Sequence, residues 1–321
     1  MPFRLKFQLT TGRITMAFKL NPLRTGGERP VGILNIAHRG ARAFAPENTL
    51  PAFGKAKRFG CQMFELDVHL SKDGELIVHH DEQLTRCTDA SAKFSGRSSY
   101  TISDFTSDEL HQLDAGSWYV EQLSLPVHQR QGFLQGVTEE EIERFVSTEE
   151  LAFYASGEVG LPTLREALEL ALREDLMVNI ELKAMPRMYP GMAEAVVKLV
   201  ALLGMENRVL VSSFDHEQLV SVRRYSDCIA TGVLTGDRLA KPGAYLALLD
   251  ADAYHPNTDS MGFHSLTRKL DRRGIADVLA SGRAVNVWTC NDKDEIRQLI
   301  AAGVSGVISD FPNRVRDVLQ E

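Results

Sequence analysis

Four short stretches hold residues able to do chemistry, each placed where an apolar run ends. They are Ala37-His38-Arg39-Gly40, followed by Pro46-Glu47-Asn48-Thr49; Phe64-Glu65-Leu66-Asp67; His79-His80-Asp81; and Asn179-Ile180-Glu181-Leu182-Lys183. Side chains two apart on a strand share a face. Glu65 and Asp67 therefore point the same way, as do Glu181 and Lys183, while Leu66 and Leu182 turn into a packing layer. Carboxylates at 65, 67 and 181 make a hard oxygen site, which suits Mg²⁺ or Ca²⁺ rather than Zn²⁺. Burying such a group is costly without a counter-charge. A divalent cation supplies one; ion pairs to Arg39 or Lys183 are the structural alternative.

His38 and His80 form a second constellation. Their near-neutral intrinsic pKa suits one to take a proton while the other gives one. His79 has the opposite parity and is expected to be structural. The Arg39 guanidinium and the Lys183 ammonium add an anion pocket. With a divalent cation they fit a phosphodiester monoanion and offset the charge that builds on its oxygens. Neither G-x-S-x-G nor the P-loop pattern G-x-x-x-x-G-K-[ST] occurs.

These residues must be positioned by the elements around them. From Ile33 onward short apolar strands alternate with amphipathic helices, the mark of βα units and a parallel sheet. Strands are expected at 33–37, 63–67, 76–79, 177–182, 208–213, 228–234, 251–255, 284–289 and 305–309. Nine is one more than a closed barrel needs, and Ser71-Lys72-Asp73-Gly74 reads as a turn rather than a crossover helix. The expected fold is thus a (β/α)8 TIM barrel, irregular at the second and third strands. Its strand ends share one rim, so distant residues converge there.

A helix is expected from Thr49 to Phe59, with Asn48 or Thr49 as cap and Gly60 as terminator. Another follows Pro162, with a Thr163/Glu166 capping box and a stripe of Leu164, Ala167, Leu168, Ala171 and Leu172. Between about 84 and 160 the rhythm breaks. That stretch, with a short helix near 107–113 and a Glu-rich piece at 138–150, reads as an insertion over the C-terminal face. The Glu run by itself reads as solvated decoration.

The chain has 321 residues, 44% hydrophobic and 25% charged, with a formal net charge of −7. One large domain with an insertion fits this better than two equal ones. The negative balance argues against nucleic acid as a partner, and no apolar run is long enough to span a membrane. Cys61, Cys87, Cys228 and Cys290 form no C-x-x-C pair and read as reduced, partly buried thiols of a cytoplasmic protein. Residues 1–30 hold Arg4, Lys6, Arg13, Lys19, Arg24 and Arg29 against Glu28 alone. They are expected to be a flexible basic leader ahead of a domain at 31–321, with peripheral contact to anionic lipid as the sharper alternative.

Taken in order, the motifs resemble the glycerophosphodiester phosphodiesterase family. The likeness runs through His38-Arg39-Gly40, Pro46-Glu47-Asn48-Thr49, Glu65-Leu66-Asp67-Val68, Lys72-Asp73-Gly74 and His80-Asp81. It continues at Leu113-Asp114-Ala115-Gly116, Pro162-Thr163-Leu164, Ile180-Glu181-Leu182-Lys183, Ser212-Ser213-Phe214, Val287-Trp288-Thr289 and Gly306-Val307-Ile308-Ser309-Asp310. The resemblance implies hydrolysis of a small-molecule glycerophosphodiester to glycerol 3-phosphate and an alcohol. It implies His38 and His80 as the acid–base pair, and Glu65, Asp67 and Glu181 as ligands of a divalent cation. Arg39 and Lys183 become phosphate contacts, Glu47 a residue near the metal, and Trp288 an apolar wall against the glycerol carbons. Cys87 stands where the family usually has threonine, and the insertion at 118–160 is longer than the family's.

Three other functions compete. A lysophospholipase D-like or sphingomyelinase D-like enzyme on the same barrel needs an acyl channel, for which Phe133, Leu134, Phe145 and Leu151 are candidates. A catalytically silent glycerophosphodiester-binding barrel would have lost a histidine or a carboxylate, and none is missing. A metal-dependent amidohydrolase would want an H-x-H pair, which does not occur. No part of the pattern specifies an oligomeric state.

Overall fold

Short apolar segments that alternate with amphipathic helices can bury their faces only by closing on one another, and here they do. A computed structural model describes residues 21–27, 32–183, 189–263 and 269–321. Its strands are β1 (Leu34–Ala37), β2 (Met63–Leu70), β3 (Leu76–Val78), β4 (Met177–Leu182), β5 (Val209–Ser213), β6 (Ala230–Thr235), β7 (Ala253–Pro256), β8 (Ala284–Val287) and β9 (Gly306–Ser309). Eight of them pair in parallel in the order β1-β9-β8-β7-β6-β5-β4-β2, and a β1–β2 pairing closes the ring. The ninth, β3, is the surplus one. It folds back antiparallel on the end of β2 through the 71–74 turn, pairing Val68 with Val78.

Among the described residues eight helices pack outside: α1 (Leu50–Arg58), α2 (Leu164–Arg173), α3 (Met192–Leu202), α4 (His216–Tyr225), α5 (Pro242–Leu248), α6 (Arg272–Ala280), α7 (Lys293–Ala301) and α8 (Pro312–Leu319). The sequence signals account for their ends. The Thr49 side chain caps α1, Pro51 sits in its first turn, and Gly60 takes a positive φ just past its end. Asn48 is not the cap; its side chain turns to Asp67 instead. Thr163 and Glu166 form the capping box of α2. Its stripe is buried at Leu164, Ala167, Leu168 and Ala171, but Leu172, in the last turn, is exposed.

Alternation sorts each strand between the helix layer and the barrel interior. Leu34, Ile36, Met63, Leu210, Ala230, Ala253 and Ile308 fill the lower interior as one apolar cluster. Steps of two from these residues lead toward the C-terminal rim and reach polar side chains: His38, Glu65 and Asp67, Ser212, and His255. The lower layer is a plug, and the layer above it is the site.

Between β3 and α2 lie the helices Ser117–Ser124, Gly132–Gln135, Glu139–Phe145 and Thr148–Tyr154. They meet the loop after β1 and helices α1 and α8: the Tyr119 hydroxyl donates to the Ala43 carbonyl at 2.8 Å, Lys55 to the Phe145 carbonyl at 2.7 Å and Arg314 to the Gly136 carbonyl at 2.7 Å. The Glu run is more than decoration. Glu141 and Glu150 complete capping boxes. Glu141 also takes a two-pronged contact from Arg314, at 2.9 and 2.6 Å, and Glu150 pairs with buried Lys55 at 2.8 Å. The side chains considered for an acyl channel are spent on packing. Leu134 is fully buried, Phe145 stacks edge-on against Phe44 and Phe59, and Leu151 lies against the same core.

Two expectations need correction. Within the supposed leader, residues 21–27 are docked on the barrel rather than free. Buried Asn21 donates from Nδ2 to the carbonyls of Glu206, Val209 and Cys228, and Arg24 pairs with Asp252 at 3.1 Å. Residues 1–20 and 28–31 lie outside the described residues. Of the four thiols, Cys61, Cys87 and Cys290 are buried, but Cys228 is exposed. Among the described residues no helix is long and apolar enough to cross a membrane.

Candidate active site

The carboxylates meet through register. In the β2–β4 ladder Asp67 lies opposite Glu181, and Glu65 opposite Asn179. Glu65, Asp67 and Glu181 thus share the interior face, each with one carboxylate oxygen within 4.8 Å of the others'. All three are buried. Lys183, next on the same face of the chain, lies 3.1 Å from Asp67 Oδ1 and 2.6 Å from Glu181 Oε1. One ammonium therefore answers two of the three charges. Glu65 accepts the backbone N–H of Arg39 on Oε2 at 2.8 Å, and its buried Oε1 has no hydrogen-bond partner among the described residues. An oxygen-only donor set with an excess of buried negative charge and an unsatisfied oxygen fits a hard divalent cation.

Charges track this arrangement. Burial pushes the Glu65 carboxyl well above the usual range, and its neighbours Asp67 and Glu181 push it further. Burial raises Glu181 too, against the pull of Lys183. Asp67 goes the other way. Burial opposes ionisation there, but Lys183, His80 and Arg39 outweigh it and hold the carboxyl low.

Both expected histidines stand at this rim, by different routes. His38 follows β1 directly. His80 does not sit at a parallel strand end, as the sequence suggested; antiparallel β3 carries it back, with the His79 N–H bonded to the Asp67 carbonyl at 3.0 Å. His79 is buried and its Nε2 lies 3.3 Å from the Gln83 carbonyl, so it serves the turn. Each of the other two imidazoles is held at Nδ1 by a carboxylate: His38 by Asp310 at 2.7 Å, His80 by Asp81 at 2.6 Å. Nε2 is the ring nitrogen left outside these contacts, and His38 Nε2 lies 4.0 Å from Glu65 Oε2. Burial, with Arg39 adding to it, lowers the His38 pKa to about 4 against the opposing pull of Asp310.

The positive residues are more engaged than expected. Arg39 lies 2.8 Å from Glu47 and 3.6 Å from Asp67, so it is a counter-ion as much as an open anion contact. Glu47 does not join the carboxylate triad. It collects Arg39, Arg42 and Arg86, which hold its carboxyl well below the usual range against the penalty of burial. Arg39 and Asn48 both adopt positive φ, 53° and 56°, in the loop that wraps the site.

A cleft of about 510 Å³ opens beside the triad, lined by His80, Asp81, Glu181, Lys183, Phe214 and Asp215 among others. This is the size of a small-molecule pocket. Phe214 is 48% exposed and meets partly buried Trp288 edge-on at 5.5 Å; Trp288 Nε1 donates to the His255 carbonyl at 2.7 Å. Trp288 is therefore fixed one step behind Phe214, which itself lines the cleft.

Asp81, Asp310, Arg42 and Arg86 also stand at this site, without a role foreseen from sequence. Asp81 and Asp310 each follow a strand inside a motif of the resemblance, the one sequence signal that marks them. Arg42 and Arg86 sit in loops without periodicity.

Residues 38–314 match the model of the glycerophosphoryl diester phosphodiesterase family. The chain is 32% identical to a glycerophosphodiester phosphodiesterase of Bacillus altitudinis, over 89% of this chain and 98% of that one. It is 30% identical to another from Caldanaerobacter subterraneus, over 90% and 98%. Among solved structures, an Oleispira antarctica phosphodiesterase in complex with the product sn-glycerol-3-phosphate aligns with a TM-score of 0.66 and 27% identity, covering 89% of this chain and 96% of that one. A glycerophosphodiester phosphodiesterase from Agrobacterium tumefaciens aligns at 0.63 and 25%, covering 88% and 98%. With a matching family model over most of its length and relatives about one-third identical along nearly their whole length, the chain belongs to the glycerophosphoryl diester phosphodiesterase family, a family of phosphoric diester hydrolases.

Proposed function

We propose that the protein hydrolyses glycerophosphodiesters to glycerol 3-phosphate and an alcohol, with His38 and His80 moving protons and Glu65, Asp67 and Glu181 holding Mg²⁺ or Ca²⁺. The observation that carries this reading is the pairing of two Nδ1-anchored histidines with a buried carboxylate triad on one rim. When bound, the cation offsets the negative charge of the phosphoryl oxygens. The remaining work falls to side chains. Lys183, and the part of Arg39 not engaged by Glu47, draw the diester anion in. One imidazole accepts the proton of the substrate's own 2-hydroxyl through Nε2 as that oxygen attacks phosphorus. The other donates a proton to the departing alcohol. A cyclic phosphate results. In the second step the two exchange roles: water loses a proton to one, attacks phosphorus, and the 2-oxygen leaves with a proton from the other. Phe214, backed by Trp288, supplies an apolar wall for the carbon skeleton. The three buried thiols fit a cytoplasmic setting.

The test is release of glycerol 3-phosphate from glycerophosphocholine and glycerophosphoethanolamine, with EDTA, Mg²⁺ or Ca²⁺, beside a lysophosphatidylcholine control. Release that needs the cation and is lost in His38→Ala supports the assignment. Turnover of the lysolipid alone would transfer the function to lipid cleavage. The cyclic route has its own check: a diester lacking the 2-hydroxyl is expected to be inert, and normal turnover of it would replace that route with direct attack by water.

A further inference from the structure

Three guanidinium groups converge on one carboxylate. Glu47 Oε1 accepts from Arg39 Nη1 at 2.8 Å and from Arg86 Nη2 at 2.6 Å, and Oε2 accepts from Arg42 Nη1 at 3.4 Å. Arg39 also reaches Asp67, while the second partner of each of the other two is the carboxylate that holds a histidine. Arg42 Nε lies 2.6 Å from Asp310 Oδ1, and its Nη2 donates to Oδ2 at 3.3 Å. Arg86 donates to Asp81 from Nε at 2.6 Å and from Nη2 at 3.1 Å. Two parallel chains result, Glu47–Arg42–Asp310–His38 and Glu47–Arg86–Asp81–His80. Both arginines are braced from the insertion. The Phe133 ring lies 4.0 Å from the Arg42 guanidinium carbon, and Gln131 Oε1 accepts from Arg86 Nη1 at 3.1 Å.

We propose that Arg42 and Arg86, joined through Glu47 and braced by Phe133 and Gln131, are positioning residues that set the orientation and tautomer of both histidines together. This rests on the reading of His38 and His80 as the proton carriers. A carboxylate on Nδ1 selects the tautomer that frees Nε2, but only if the carboxylate cannot rotate away. Asp310 and Asp81 are each held on both oxygens by an arginine, a grip that a lysine point charge cannot reproduce. The charges also close. Arg39, Arg42 and Arg86 balance Glu47, Asp81 and Asp310, so the network needs no charge from substrate or cation to hold its shape.

The experiment compares Arg42→Gln, Arg86→Gln and the corresponding lysine variants with His38→Ala and His80→Ala. Two substrates are used, glycerophosphocholine and a glycerophospho-4-nitrophenyl diester whose leaving group needs no proton. Each arginine variant is expected to lose about 10- to 100-fold in kcat, the range for outer partners of a site residue, with KM little changed. Arg42→Gln follows the substrate preference of His38→Ala, and Arg86→Gln that of His80→Ala. The lysine variants keep the charge but not the fork and fall between. An arginine variant whose substrate preference departs from that of its own histidine variant, or a rise in KM with kcat retained, would overturn the proposal. A second readout needs no turnover and stands even if neither diester is a substrate. The downfield proton resonances of the two Nδ1–H groups are expected to be lost one each in the arginine variants and both in Glu47→Gln. Retention of both in Glu47→Gln would also overturn it, and Gln131→Ala, at the edge of the network, gives a milder version of the His80 effect should the central variants misfold.

Discussion

Glu65 shows how a single side chain can be kept against its own interest. Its carboxylate is buried, one oxygen has no hydrogen bond, and two like charges stand beside it. Those conditions raise its folded pKa above the ordinary 4.5. The neutral acid is then the form that favours folding. Its contribution is fully present below the unfolded pKa and is lost as pH rises through the raised folded value. In EDTA, Glu65→Gln is therefore expected to melt higher than the wild type, with a margin that widens from acid toward neutral pH. Saturating Mg²⁺ or Ca²⁺ should reverse the order, because ligands held apart from solvent regain their cost only on binding. Thermal melts across pH with and without metal make the check; a margin that does not move with pH would remove the strain argument. At this scale the sequence was informative where function needs a residue type at a strand end: His38, Glu65, Asp67, Glu181 and Lys183 all stand together. The arginine network was not legible, because a charge in an aperiodic loop carries no mark of its partner until the loop is folded.

Elements decide which of these residues can meet. The surplus strand was readable as a count of nine, and the 71–74 turn marked where regularity failed. The antiparallel return of β3, which delivers His80, follows from that turn being too short for a crossover. The loop from β1 to α1 does comparable work. At Gly40, φ is +76°, and a Cβ there would lie 2.6 Å from the Ala52 carbonyl carbon, inside the first turns of α1. The closeness has a purpose, since the Ala41 N–H bonds the Ala52 carbonyl at 3.0 Å and pulls the helix against the loop that presents His38 and Arg39. Gly40→Ala is expected to cost on the order of 1–3 kcal/mol from the backbone conformation alone, with a further steric term. Activity should fall more than stability accounts for, because Arg39 adjoins the strained position. Urea unfolding beside kcat/KM at a temperature where the variant stays folded tests both parts. Unchanged stability would mean that the loop relaxes freely.

A barrel has two ends, and the whole molecule divides its labour between them. The C-terminal rim carries the buried charges and strained loops, and the lower interior is an apolar plug that repays none of the chemistry but holds the strands in register. The (β/α)8 architecture was legible because period-2 and period-3.6 patterns alternate through the chain. The docking of residues 21–27 was not, since seven residues rich in Gly and polar side chains have no periodicity, and a basic composition pointed outward instead. Their anchor is Asn21, 2% exposed, whose Nδ2 spans carbonyls at the starts of β5 and β6 and whose Oδ1 accepts the Leu23 N–H at 2.9 Å. Those carbonyls lie at the mouth of the barrel opposite the site. Asn21→Ala removes these contacts, and a cost of about 1–3 kcal/mol is expected for their loss. Because the apolar plug lies between Asn21 and the rim, kcat and KM should stay at their wild-type values while the urea midpoint falls. A parallel loss of kcat would show that the two ends are coupled through the strands, and the separation of stability from chemistry in this barrel would fail.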